Sequence, residues 1–293
     1  MPELPEVETV RRDLHQHLLG ASFSKIEIIA FKNVAPRAAF LARFLKGKEI
    51  VAFRRRGKLL ILDLKGRDEH LLFHLKMTGQ LIFVDKIQSL AGGHSLSTAS
   101  FAASVGGDLP NKFTRAIFTF SNGARLFFND LRKFGYIKLV STTELDLILK
   151  NNYGPEPLDK DFTSAYLSSI FVKSTAPIKA LILNQKLIAG LGNIYADEAL
   201  FAAGIDPRRS AKSLRPTEIA TFQKATVSII KKAIKARGTT FRNFVDAQGK
   251  KGNFIDFLQV YQRHNQPCRC CKEPLVKIKV AGRGTHYCQT CQK

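Results

Sequence analysis

The sequence predicts an α+β protein in which a β-sandwich headed by one helix is followed by a helical domain and a small C-terminal β-hairpin. Three observations carry this. Apolar residues at intervals of three and four open the chain and give way to eight short β-like runs. The stretch NNYGPEPLDKDF, from Asn151 to Phe162, is rich in Pro, Asp and Asn, and helical spacing dominates after it. All five cysteines then fall in Cys268–Cys291, four of them as two Cys-x2-Cys pairs, around a Gly-Arg-Gly turn. The expected boundaries are 1–145 for the sandwich, 146–164 for a linker, 165–255 for the helical domain and 256–293 for the hairpin.

Leu4, Val7, Val10, Leu14 and Leu18 share one helix face, and Gly20 is placed to end that helix. The β-like runs are Ser24–Ala30, Glu49–Arg54, Leu59–Leu64, His70–Lys76, Gln80–Val84, Ala116–Phe120, Ala124–Asn129 and Tyr136–Val140. Turn pairs such as Lys65-Gly66 and Asn122-Gly123 separate several of them, the cadence of an antiparallel sandwich or barrel. Residues 86–112 interrupt it with a Ser-, Gly- and Ala-rich stretch too long for a hairpin loop, expected to be a mobile insertion. Beyond the linker, Ile178–Gln185, Ile194–Gly204 and Pro216–Arg237 carry helical spacing. Lys231, Lys232, Lys235 and Arg237 suit the C-terminal dipole of the last of these, and Gly238 breaks it. Leu275–Val280 and Thr285–Cys288 read as a hairpin with Gly282-Arg283-Gly284 at its tip.

The 293 residues carry 46 basic and 24 acidic side chains, a net charge of +22. Such a balance implies a polyanionic partner, and composition alone fits nucleic acid or an anionic membrane surface equally. The N-terminus has no apolar core segment of the kind a secretory signal needs, so an intracellular protein is expected. Ile87–Gly107 is free of charge for about a membrane span but is too rich in Ser, Gly and Thr to be a helix in lipid.

Cys268 with Cys271 and Cys288 with Cys291 form two Cys-x2-Cys pairs separated by sixteen residues, a spacing that points four thiolates at one tetrahedral ion. Disulfides or a redox pair are the weaker readings of the doubled spacing. One Zn2+ is expected, and it is structural because four thiolates leave no coordination position open. Its binding supplies folding free energy that so small a hairpin lacks. The ion would hold Arg283 rigid at the tip; a solvated turn arginine is the plainer alternative.

Removal of Met1 leaves Pro2 with a terminal secondary amine. An α-amino group titrates near 7.7–8.0, far below lysine, so a useful fraction is nucleophilic at neutral pH. Its attack on an aldehyde carbon gives an iminium that cannot be neutralised by N–H loss and therefore serves as an electron sink. Glu3 and Glu6 lie within the first helical turn, where carboxylates could shuttle protons to that amine. Taken by itself the segment equally fits an ordinary helix start, since Pro and acids favour the first turn. Lys58, after Arg54-Arg55-Arg56, likewise fits a solvated basic run.

The whole string MPELPEVETVRRDL resembles the N-terminus of the formamidopyrimidine-DNA glycosylases, bacterial enzymes for oxidised purines. The resemblance continues through RRRGKLLIL around Lys58, HLKMTGQL around Met77, DLRKFGY around Phe134 and GPEPL at Gly154. It extends over KALILNQKLIAGLGNIYADEALFAAGIDP, Lys179 to Pro207, and over VYQRHNQPCRCC and GRGTHYCQTCQ at the C-terminus. What it implies is a catalytic β-sandwich domain, a helix-two-turn-helix DNA-binding domain and a zinc finger. The implied enzyme is bifunctional in base excision repair. Pro2 displaces the damaged base at the sugar C1′ and forms a Schiff base, and β- and δ-elimination then cut the strand. By the same resemblance Glu3 is the acid/base, Lys58 a proton donor, Glu6 a supporting carboxylate, and Arg283 a phosphate-gripping arginine with a role in the δ step.

The resemblance also implies DNA contacts at His74, Met77, Arg115, Arg132, Lys133, Phe134, Lys179 and Asn193. Met77, Arg132 and Phe134 match a trio that fills the gap left by a flipped nucleotide, which suits two wedge-shaped apolar side chains and one guanidinium. Asn193 is implied as a phosphate contact, Lys179 as a neighbour of the lesion pocket, and Phe244–Phe254 as a loop closing over oxidised guanine. The implied partner is damaged double-stranded DNA bound by a monomer in the bacterial cytoplasm, without a membrane. Departures from the family pattern are Phe113 and Arg115 in place of His-x-His, with Arg115 as the compensating contact, and Lys133 where many members have Arg. Thr175 stands at a position that is often basic. Two other activities fit the same residues: an endonuclease VIII-like glycosylase for oxidised pyrimidines, and a non-catalytic zinc-ribbon DNA-binding protein.

Overall fold

A computed structural model of the chain describes residues 1–66, 68–94, 100–239, 244–245 and 253–293. Most of the stretch likened to a closing loop, Phe244–Phe254, lies outside the described residues. Contacts divide the chain into two compact units, 1–149 with 236–255, and 150–235 with 256–293. The segment 236–255, grouped with the helical part by its sequence, thus belongs by contacts with the β-rich unit.

In the first unit, helix α1 (Leu4–Leu18) precedes strands β1 (Phe23–Ile28) and β2 (Val34–Ala35) and helix α2 (Ala38–Leu45). Strands β3 (Ile50–Arg56), β4 (Leu59–Leu64), β5 (Glu69–His74), β6 (Gly79–Val84) and β7 (Ser89–His94) follow. Helix α3 (Phe101–Val105), strands β8 (Thr114–Phe120), β9 (Arg125–Asp130) and β10 (Tyr136–Ser141), and helix α4 (Thr142–Asn152) complete the run, so the segment expected as linker begins inside a helix. The second unit contains α5 (Ser164–Phe171), α6 (Ile178–Ile182), α7 (Asn193–Ala202) and α8 (Pro216–Lys235); strand β11 (Phe244–Val245) belongs to the first unit, and β12 (Val276–Val280) and β13 (Arg283–Tyr287) to the second.

The sandwich consists of a six-stranded sheet, β1-β8-β9-β6-β7-β11, and a five-stranded sheet, β2-β10-β5-β4-β3. One core joins them: Leu60, Leu62, Leu71 and Phe73 from the second sheet meet Leu81, Phe118, Leu126 and Phe128 from the first, with Val7, Val10, Leu14 and Leu18 of α1 in the same cluster. Phe73 contacts Phe118 edge-on at 5.5 Å between centroids. Alternation along each strand puts these side chains on the inner face.

The stretch 86–112, expected as a mobile insertion, holds a strand and a short helix among the described residues. Its first part is β7, paired with β6 from Gln80↔Gly93 to Val84↔Ser89, and β11 pairs with its other edge. The small residues have a packing reason. A Cβ on Gly92 would come within 2.7 Å of a Val10 methyl on α1, and Gly93, at φ +124°, would place one 2.5 Å from the Gly79 carbonyl oxygen. Val105 of α3 joins Ile82, Ile117 and Phe127 in a separate apolar cluster.

In the second unit Tyr195, Leu200, Phe222 and Ile230 are fully buried on α7 and α8. The β12–β13 hairpin turns at Ala281 and Gly282, both at positive φ, so the tip lies one residue earlier than Gly282-Arg283-Gly284 suggests. Arg283 pairs with Val280 as the first residue of β13 and is exposed. Among the described residues, no helix is long and apolar enough to cross a membrane.

Candidate functional site

Glu3 caps α1 and forms a capping box with Glu6. Pro2, Glu3 and Glu6 are all buried, which is unusual for a first turn. Glu6 explains part of this: one carboxylate oxygen accepts the Glu3 N–H at 2.9 Å and the other accepts the Thr239 N–H at 2.8 Å. Gly238 makes room for it, since a Cβ there would stand 2.8 Å from Glu6 Oε1. Glu6 thus ties the start of α1 to the returning segment while lying beside the expected amine.

The β3–β4 hairpin presents Lys58, only 4% exposed. Its tip is anchored to α1 through Arg55, whose Nε donates to Glu8 at 3.1 Å and whose Nη1 donates to the Gly57 carbonyl at 2.9 Å. Burial alone would raise the Glu8 carboxyl, but hydrogen bonds from Arg11 and Arg12 and the Arg55 charge outweigh it and hold it at about 2. The solvated-run reading therefore fails at Arg55, which pairs with a buried acid on α1, and at Lys58, which is itself buried. Sequence reasoning passed over Glu8, although a lone acid between PELPE and Arg11-Arg12 was its available signal.

His74 lies opposite both Leu59 and Tyr136 in the five-stranded sheet, next to Lys58. Burial first, then the charges of Lys76 and Lys58, push its imidazole down to about 3. The ring is neutral at physiological pH, and Nδ1 accepts the Lys76 N–H at 3.0 Å. The proton consequently sits on Nε2, a neutral N–H donor suited to a phosphate oxygen.

The loops that carry Met77 and the Arg132–Phe134 pair are joined by one buried carboxylate. Asp130, fully buried, accepts the Thr78 hydroxyl, the Arg132 N–H at 3.2 Å and the Gly135 N–H at 2.7 Å. Between them Lys133 takes φ +58°, a tight reversal that leaves Phe134 50% and Met77 39% exposed. The Arg132 guanidinium lies 4.5 Å from the Phe134 centroid. Arg115, expected as a compensating phosphate contact, is largely buried, and its Nε donates to the Asp130 carbonyl at 2.9 Å, bracing the loop. Asp130 opens DLRKFGY, and only its burial shows that it organises the loop. Replacing it by alanine strands buried donors, and Asp130→Ala is expected to lose about 3 kcal/mol in urea unfolding and at least about tenfold in duplex affinity. Unaltered affinity would separate the loop from DNA binding.

In the second unit the expected DNA contacts Lys179, buried, and Asn193, half-buried, both bond to the strand that begins with Arg283. Lys179 is fully buried on α6, 2.5 Å from Asp197 of α7, and donates to Thr285 Oγ1 at 2.8 Å and the Gly284 carbonyl at 3.2 Å. Its ammonium hydrogens are directed to groups within the protein. Asn193 donates to the same Gly284 carbonyl at 2.8 Å. Asp197 also accepts the His286 N–H at 2.9 Å. Two helices thereby fix the strand that begins with Arg283. Lys179→Met should lose about 3–5 kcal/mol in urea unfolding by leaving Asp197 unpaired, with Asp197→Asn added to it restoring part. A surface DNA-contact lysine would cost almost nothing.

The four sulfurs of Cys268, Cys271, Cys288 and Cys291 lie within 4.8 Å of one another. Cys271 and Cys288 are 3.4 Å apart and Cys268 and Cys291 3.9 Å, bracketing the roughly 3.8 Å edge of a tetrahedron with about 2.3 Å zinc–sulfur bonds. The donor set therefore fits one structural Zn2+, and Cys270 is exposed outside it.

These arrangements, a buried acidic helix start, an apolar loop tip in a basic chain and a cysteine-clamped hairpin, have counterparts in known proteins. Residues 1–137 match the formamidopyrimidine-DNA glycosylase N-terminal domain, 153–245 the formamidopyrimidine-DNA glycosylase H2TH domain, and 265–293 the zinc finger found in FPG and IleRS. The chain belongs to the formamidopyrimidine-DNA glycosylase family. A member from Pelotomaculum thermopropionicum is 41% identical over 100% of this chain and 99% of its own, and one from Streptococcus mutans is 37% identical over 100% of both. Among solved glycosylase structures, that of the Lactococcus lactis protein with abasic-site DNA superposes with a TM-score of 0.86 at 35% identity, covering 99% of each chain. A variant of the same protein with Fapy-dG DNA gives 0.87 at 35% identity, covering 100% of each. The fold expected from the sequence, a sandwich, a helix-two-turn-helix domain and a zinc-bearing hairpin, is that of the family.

Proposed function

We propose that this protein is a bifunctional DNA glycosylase and abasic-site lyase of base excision repair, acting on oxidised purines in duplex DNA. The observation that carries the reading is the buried Pro2-Glu3 start of α1 with Lys58 on the adjoining hairpin of the same unit, in a chain similar along its full length to formamidopyrimidine-DNA glycosylases.

Once Met1 is removed, the Pro2 nitrogen attacks C1′ and the bond to the base breaks, with a proton delivered to the departing base. The sugar ring opens to an iminium on Pro2. Loss of a C2′ proton then expels the 3′-phosphate, and a second elimination expels the 5′-phosphate. Glu3 takes the proton that the Pro2 nitrogen sheds on attack and delivers one to the ring oxygen as the sugar opens, and Lys58 serves the elimination steps. His74 as a neutral donor, Arg132, Lys133 and Arg283 contact phosphates or the orphaned base, while Met77 and Phe134 occupy the vacated stack. Lys179, Asn193 and Arg115 act indirectly, by holding the Arg283 strand and the loop tip. The protein acts as a monomer in the bacterial cytoplasm, held to DNA by its excess positive charge.

Incision of duplexes containing 8-oxoguanine opposite cytosine, compared with duplexes containing an oxidised pyrimidine, tests the substrate class. Faster single-turnover cleavage of the purine duplex is expected. Preference for the pyrimidine would assign the endonuclease VIII-like activity, and binding without cleavage of either would assign the non-catalytic role.

A further inference from the structure

Helix α2 carries a feature that the glycosylase reading leaves unused. Leu41 and Leu45 bury one face of this helix in the sandwich core. Phe40, a turn before Phe44 and outside that core cluster, is 45% exposed. Its ring stacks on that of Phe44 at 5.9 Å between centroids with planes 15° apart, and the Lys48 ammonium lies 5.5 Å from the far ring. The result is a short column, cation over ring over ring, with the half-exposed Phe40 ring at its outer end.

The segment that carries the column is basic. Between Phe31 and Lys48 the chain has Lys32, Arg37, Arg43, Lys46 and Lys48 and no acidic residue. Lys32, Arg37, Arg43 and Lys46 are exposed. The same segment starts at the Arg132–Phe134 loop, where Asn33 Nδ2 donates to the Lys133 carbonyl at 2.7 Å and to that of Gly135 at 3.0 Å. Single exposed apolar residues need no explanation, but a parallel pair of rings bordered by cations has the makeup of a platform for unpaired bases.

We propose that the outer face of α2 is a second nucleic-acid site, which takes a segment of single-stranded DNA by stacking a base on Phe40 while Arg37, Arg43 and Lys46 neutralise the flanking phosphates. Every base offers a π-face, so the site is tolerant of sequence, and its affinity falls with salt as the cations release counterions. It is separate from the lesion-processing residues and holds an unpaired strand near a duplex being repaired.

The test uses the full chain with its reaction centre saturated by an unlabelled duplex carrying a tetrahydrofuran abasic analogue, and fluorescein-labelled oligothymidylate of about 12 nucleotides as probe. Fluorescence anisotropy should show the probe binding to this complex, about tenfold more weakly for Phe40→Ala and for Arg43→Glu, with lesion-duplex incision unchanged in both. Phe40 is not part of the core, so its truncation leaves the fold intact. Three results would overturn the proposal: exclusion of the probe once duplex is bound, equal probe affinity for wild type and both variants, or binding to phosphatidylglycerol vesicles but not to the probe. Duplex affinity is measured independently, so a failure of the glycosylase reading is distinguishable from a failure here.

Discussion

Borohydride reduction traps a covalent protein–DNA adduct with a chain that begins at Pro2, and none with the chain that retains Met1. This is the largest expected effect, because in the longer chain the proline nitrogen is an amide whose lone pair is delocalised and cannot attack C1′. Pro2→Gly keeps a terminal amine but replaces the secondary amine with a primary one, whose imine can shed its proton and lose the electron sink. Excision by that variant should fall by about 10³-fold or more, while its affinity for the lesion duplex, set by the charged and intercalating residues, stays close to that of the parent. Intact-mass measurement of each preparation must accompany the assay. A trapped adduct from a preparation carrying only the Met1 form would remove Pro2 from the reaction.

The second large effect is on the metal. Structural zinc in small ribbons contributes on the order of 10–16 kcal/mol, as much as the whole stability of a typical domain. The local apolar cluster around the four sulfurs contains little beyond Val260 and Leu275. Chelation, or Cys288→Ser, should unfold the β12–β13 hairpin and detach Arg283, Gly284 and Thr285 from Asn193 and Lys179. Duplex affinity should drop by at least about 100-fold and metal analysis should fall from one zinc per chain to none. Cys270→Ser, outside the cluster, should alter neither. A chelated protein that kept both its zinc-free fold and its affinity would show that the helices alone hold the hairpin.

Much of the architecture was legible because its signals are local. The spacing of Leu4, Val7, Val10, Leu14 and Leu18 specified α1, whose observed bounds are Leu4–Leu18. The expected run Leu59–Leu64 is β4 without adjustment, and the doubled Cys-x2-Cys spacing gave the cluster of four sulfurs. Short elements escaped. Helix α2 shows only two buried positions, too few for a periodic signal. Strand β7 is hidden by glycines that look like loop composition and are there because Val10 and the Gly79 carbonyl come so close.

Charged residues were the least legible, since sequence gives their sign and spacing but not what surrounds them. Lys179 and Arg115 both looked like DNA contacts in a chain of net charge +22. Burial committed one to Asp197 and the other to the Asp130 carbonyl. Conversely Asp130, Glu8 and Asp197 are three acids that a basic protein keeps in its interior, and each organises residues of opposite charge or exposed function around it.

What the sequence determined by itself is the set of parts: the helix with a prolyl amine next to its start, the sandwich strands, the four thiolates and the surplus of positive charge. Each depends on near neighbours or on a sum over the chain. The tertiary structure alone decided which polar groups face outward and which tie elements together, because burial and hydrogen bonding join residues 50 to more than 200 positions apart, as in Thr78 to Asp130 and Glu6 to Thr239. An unpaired polar group costs too much to leave in the interior, so long-range pairing fixes the roles that composition leaves open.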